Sequence, residues 1–143
     1  MCAVNLWVVN AAAFTPEFQS FTADRLGVAP VVEELRIASG RVRGSSRVFT
    51  LTTRMCDCDS LIGRRAEPEH DDEISADTWL GWLRELPDAV PHISRIAVLR
   101  AWSPEDDLVS PKRLRGIRID ELDEAILRGI RDDMLLTIDY PQG

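Results

Sequence analysis

Val31-Val32-Glu33-Glu34-Leu35-Arg36-Ile37-Ala38, then Ser39-Gly40-Arg41-Val42-Arg43-Gly44-Ser45-Ser46, then Arg47-Val48-Phe49-Thr50-Leu51-Thr52-Thr53-Arg54 is the passage whose reading decides the fold class. Leu35 and Ile37 alternate with Glu34 and Arg36, the period of a half-buried strand. The two glycines within 39–46 read as a hairpin connection. Val48, Thr50, Thr52 and Thr53 are β-branched, which makes 47–54 a further strand. Two strands in direct succession argue against a simple alternation of strands and helices and for an α+β sheet.

Upstream, residues 4–9 are apolar and rich in valine, which suits a buried strand. Thr15 then caps a helix, Pro16 suits its first position, and Glu17 favours the positive end of its dipole. Phe18, Phe21 and Leu26 line its inward side, and Gly27 is its stop. Downstream, 64–73 is a charged, Pro-containing loop. Ser75 caps a second helix with Asp77 in its first turn, and Trp79, Leu80, Leu83 and Leu86 recur at helical spacing until Pro87 ends it. Residues 94–102 read as a fourth strand and 103–118 as a polar connection. A third helix follows over 120–131, carrying Leu122, Ile126, Leu127 and Ile130, with a last short strand over 134–140. The first six elements, β-α-β-β-α-β, predict a ferredoxin-like split β-α-β sandwich over residues 1–102. Residues 103–143 are expected to be a C-terminal α-β extension within one domain, 1–143.

A chain of 143 residues with 45% hydrophobic and 29% charged content is long enough to bury a core and ordinary in composition. No apolar run approaches the roughly 20 residues of a membrane helix, and the N-terminus lacks the basic region of a secretory signal. Three cysteines are an odd number in a chain too large to need disulfide staples, which points to a reducing, cytoplasmic compartment. Twenty-four acidic residues against 17 basic ones give a net charge of −7. That argues against general nucleic-acid binding, which needs clustered Lys and Arg. Lys112-Arg113-Leu114-Arg115-Gly116-Ile117-Arg118 is a local exception, read as a solvated segment.

The chemical feature of the chain is Met55-Cys56-Asp57-Cys58-Asp59, directly after the third strand. With strands one and three taken as parallel neighbours, one sheet edge collects Cys56, Cys58, Asn10 and His92, and the loop carrying His70 folds back to it. Cys56, Cys58, His92 and His70 supply the thiolate and imidazole donors that zinc takes, with Asp57 and Asp59 as outer acceptors. The single intervening residue is shorter than the usual two to four of zinc sites, and soft copper tolerates lower coordination. The same pair can instead close a strained, labile disulfide, its Cα atoms about 6.5 Å apart in an extended chain. Its flanking carboxylates then work against it, since they raise the thiol pKa. In the plainest reading the pair is structural, one cysteine packing toward the core as a small hydrophobe and the other facing a loop. Cys2, at the far end of the first strand and about 20 Å away, is left out of the intrachain site. After loss of Met1 it would be an N-terminal nucleophile with its own amine as base.

No G-x-S-x-G elbow, P-loop, G-x-G-x-x-G or H-E-x-x-H is present. No nucleophile pairs with a base and no substrate is indicated, so enzymatic activity has no dedicated support. His92 also has a purely structural reading, and His70-Asp71-Asp72-Glu73 that of a solvated loop. Of Trp79 and Trp82, three residues apart, one is expected in the core and the other partly exposed. Two functions follow. The first is soft-metal (zinc or copper) binding or thiol redox through Cys56 and Cys58. The second is a non-catalytic interaction module, of inhibitor or immunity type, for a basic protein partner, its support being acidity, small size and surplus Trp. A homodimer is equally compatible with a sheet that offers edges.

Overall fold

The computed structural model describes residues 3–42, 45–52, 74–102 and 108–141, with Ala3 and Trp102 described by backbone alone. The chain is mixed α+β. Its strands are β1 (Ala3–Asn10), β2 (Val31–Glu33), β3 (Arg36–Ile37), β4 (Ser46–Thr50), β5 (Arg95–Trp102), β6 (Leu108–Val109), β7 (Arg113–Arg118) and β8 (Met134–Asp139). Its α-helices are α1 (Pro16–Leu26), α2 (Ala76–Ala89) and α3 (Glu124–Arg128). Six strands form one sheet in the order β2-β4-β1-β5-β8-β7, and β3 pairs with β6 in a second, two-stranded sheet.

Local chemistry accounts for the helix boundaries. Thr15 Oγ1 accepts the Phe18 amide at 3.1 Å, Pro16 occupies the first turn, and Gly27 closes α1 in the left-handed region at φ 73°, where no Cβ opposes it. Ser75 Oγ accepts the Thr78 amide at 3.2 Å to start α2. Pro87 does not end α2, as its sequence position suggests. It lies inside the helix, which runs on to Ala89. Asp123 Oδ1 accepts the Ile126 amide at 2.9 Å, and α3 spans only Glu124–Arg128, far shorter than the predicted 120–131. A 3-10 turn, Ile119–Glu121, takes up the residues before it, because the acidic Asp123 caps the helix late.

Alternation divides the main sheet. Trp7, Val9, Phe49, Ile96, Val98, Leu136 and Ile138 face the helices and form one core with Phe18, Leu26, Trp82, Leu83, Leu86 and Leu127. Trp7 stacks on Trp79 at 5.4 Å between ring centroids and meets Trp82 edge-on at 5.1 Å, the offset and T-shaped arrangements that ring quadrupoles favour. Trp82 Nε1 donates to Thr22 Oγ1 at 3.0 Å, joining α2 to α1 inside that core. Leu6, Val8, Val48, Ala97, Leu99 and Leu135 face the other way, against Ile37 of the small sheet, with Leu35, Val42 and Val109 packed alongside.

Three expectations from sequence are corrected. The predicted strand 31–38 breaks at Glu34 and Leu35, and its second half leaves the main sheet to pair with β6, because Ile37 must cover the second face. Residues 113–118 are not a connection but an edge strand, parallel to β8. Only Ile117 of β7 is buried, so the usual apolar signal is missing. Strands one and three, here β1 and β4, are antiparallel, with Trp7 opposite Phe49 and Asn10 opposite Ser46. The helix crossover returns β2 parallel to β1, and the following turn sends β4 back between them.

Candidate functional site

Because β1 and β4 are antiparallel, their C-terminal ends lie at opposite ends of the sheet. Asn10 ends β1 beside the start of β5, whose Ile96 opposes Val9, and His92 lies exposed three residues before β5. β4 instead leaves the sheet toward the edge where β1 begins. Cys2, Cys56, Cys58 and His70 lie outside the described residues. Among the described residues, no three His, Cys, Asp or Glu side chains are grouped to hold a metal. Asn10 serves a local purpose, its Oδ1 accepting the Ala12 amide at 3.4 Å. Trp79 and Trp82 are both buried, as is Trp7, so the expected half-exposed tryptophan is corrected. The rings fill the space between α2 and the sheet.

Among the described residues, two surfaces can receive something. The first is the edge at β2, which pairs with β4 on one side and ends the main sheet as described. Val31 is 58% and Val32 48% exposed there. Glu33 and the exposed Glu34 follow, and neither is in an ion pair with another described residue. The opposite edge, β7, is built differently. It carries Arg113, Arg115 and Arg118 with Lys112 before them, the inserted charge that keeps edge strands from pairing with other chains. β2 carries no Lys or Arg; its charge is the single carboxylate of Glu33, with Glu34 after it.

The second is a cavity of about 370 Å³ where β1 ends, lined by Val8, Asn10, Arg41, Val42, Arg95 and Asp139 among others. Arg95 is ion-paired with Asp139 and donates through Nη1 to the Arg41 carbonyl at 3.1 Å. Arg41 donates through Nη1 to Thr137 Oγ1 at 3.3 Å. Its guanidinium lies over Gly116, where an added Cβ would collide with it.

The remaining buried polar groups serve the fold. Arg100, 4% exposed, donates to Asp132 Oδ1 at 3.0 Å and to Asn5 Oδ1 at 3.2 Å, while the Asp133 amide donates to its carbonyl. These bonds fasten the turn before β8 to β5. Tyr140 donates to the Leu83 carbonyl, and burial pushes its phenol far above the ordinary value. No helix among the described residues is long and apolar enough to cross a membrane.

Sequence reasoning missed both surfaces. Val31-Val32 reads as part of a longer strand until its second half is seen to leave the sheet. Arg41 and Arg95 are 54 residues apart and meet only through register. The chain matches no protein-family model, no curated protein and no solved structure.

Proposed function

We propose that this chain is a non-catalytic binding domain that takes an extended, basic segment of a protein partner along the edge at β2. The observation behind this reading is a strand that leaves one side unpaired among the described residues, shows two valines to solvent, and carries Glu33 at its end and Glu34 directly after it, neither in an ion pair with another described residue. Main-chain hydrogen bonds supply affinity in such strand addition, and alternate side chains supply selectivity. Glu33, Glu34 and the net charge of −7 favour lysine and arginine in the incoming strand and speed its encounter.

A short synthetic peptide alternating valine and lysine is the direct probe. Its addition shifts the backbone amide resonances of residues 31–33, and a Glu33→Lys/Glu34→Lys variant binds it about fivefold more weakly per charge at low salt. Shifts that spare β2, or affinity indifferent to both substitutions, would sink the proposal. A second copy of the chain is the competing occupant. A dimer in sedimentation that Val32→Lys converts to monomer would replace the partner by self-association.

The split β-α-β sandwich is the finer fold we infer. Its support is the order β2-β4-β1-β5 with α1 and α2 on one face. A cytoplasmic setting rests on the odd cysteine count. The spacing Cys56-Asp57-Cys58 sustains a second reading, soft-metal binding (zinc or copper) or thiol redox, with His70 as the imidazole nearest in sequence. Metal content and thiol titration on protein purified under reducing conditions test it. Stoichiometric metal lost in Cys56→Ser/Cys58→Ser supports a metal site. Three freely titrating thiols and no metal remove it, and a thiol count that falls on mild oxidation separates the redox form.

A further inference from the structure

We propose that the cavity at the end of β1 binds a small carboxylate with an apolar body. Its volume, about 370 Å³, falls at the lower end of ligand pockets, roughly 300–1,000 Å³. Val8, Val42 and Ala97 provide apolar lining, and Asn10, Ser94 and Arg95 are exposed at its rim. A wall of valine and alanine with polar groups at one side is the general form of a site for an amphiphilic small molecule.

The charges select the head group. Among the described residues, two guanidiniums, Arg41 and Arg95, and one carboxylate, Asp139, line the cavity. Asp139 is ion-paired with Arg95, which leaves one net positive charge, the complement of a monoanion. Both arginines are held in place before any ligand arrives. Arg41 is seated over Gly116 and bonded to buried Thr137. Arg95 is fixed by Asp139 and by the Arg41 carbonyl. An arginine has five N–H donors in a planar fork. The bonds described occupy Nη1 of Arg41, and Nε and Nη1 of Arg95. Donors therefore remain on both, and a planar carboxylate matches that fork. Because the fork is already positioned, little ordering entropy is lost on binding. The cavity and the β2 edge are separate features, so this inference stands or falls independently of the proposed partner.

Benzoate, benzamide and inorganic phosphate are the probes, titrated at constant ionic strength with amide resonances as the readout. Benzoate is expected to saturate at about millimolar concentration, as befits so small a ligand, and to shift Ser46, Ser94 and Ala97. Benzamide, its neutral counterpart, and phosphate, which lacks the apolar body, should each bind about tenfold more weakly. Arg41→Gln should weaken benzoate by about the same factor, with amide resonances away from the cavity unchanged to confirm the fold. Equal binding of benzamide or indifference to Arg41→Gln would each overturn the assignment. Phosphate binding as tight as benzoate would overturn the carboxylate class.

Discussion

Pro87 and Tyr140 solve one problem between them. Proline has no amide hydrogen, so within α2 it leaves the carbonyl four residues back, that of Leu83, without its helical donor. Tyr140 Oη donates to that carbonyl at 2.5 Å. This explains why α2 passes through Pro87 and why the phenol is buried with a bonded hydroxyl. In the unfolded chain the phenol titrates near 10.0, and burial in the folded state raises it well above that value. Above pH 10 the unfolded chain loses a proton that the folded chain keeps. The stabilisation is therefore complete below pH 10 and declines as the pH rises, by up to about 1.4 kcal/mol per unit. Tyr140 is the single tyrosine of the chain, so ultraviolet absorbance reports its ionisation without ambiguity. Phenolate is expected to appear only as the protein unfolds. A phenolate forming near pH 10 in still-folded protein would contradict the burial argument.

Among the elements, α2 carries the largest side chains of the helix-facing core, and its fit depends on that same carbonyl. Pro87→Ala restores an amide hydrogen to the helix, giving Leu83 a second donor. Tyr140→Phe should then cost less in the Pro87→Ala background than in the natural chain, with a coupling of about 0.5–1.5 kcal/mol in a urea double-mutant cycle. Additive costs would mean that Tyr140 stabilises by packing alone. Elements with strong local signals were legible: α1 between Thr15 and Gly27, the start of α2 at Ser75, and the apolar β1, β5 and β8. β7 was not. As an edge strand it alternates arginine with Leu114 and Gly116 and buries only Ile117, so its pairing with β8 leaves almost no hydrophobic trace. The break between β2 and β3 was hidden for the opposite reason, since both halves carry the alternation of one strand.

Across the whole molecule, the sheet is layered in stability. β1, β5 and β8 lie between paired neighbours and are covered by side chains on both faces. β2 lies at an edge with its valines exposed, and among the described residues β3 and β6 pair only with each other, over two residues each. Amide hydrogen exchange should therefore be slowest in β1, β5 and β8 and faster by orders of magnitude in β2, β3 and β6. Uniform protection across all eight strands would show that the edges are held by something beyond their own ladders. The fast-exchanging edge is also where the proposed partner adds, so that peptide should slow exchange selectively at residues 31–33.

The sequence by itself determined the α+β class, the N-caps of α1 and α2, and core positions such as Phe18 and Leu26 of α1 and Leu80, Leu83 and Leu86 of α2, because caps and periodicity are short-range properties written in neighbouring residues. It could not determine strand direction. β1 and β4 were expected parallel, and the crossover through α1 makes them antiparallel, which puts His92 at one end of the sheet and the exit of β4 at the other. Nor could it place Arg41 against Gly116 and Thr137, or leave Val31 and Val32 exposed at the edge of the sheet. Those are pairings between residues far apart in the chain, selected by how the sheet closes and what covers its two faces, and only the tertiary structure decides them.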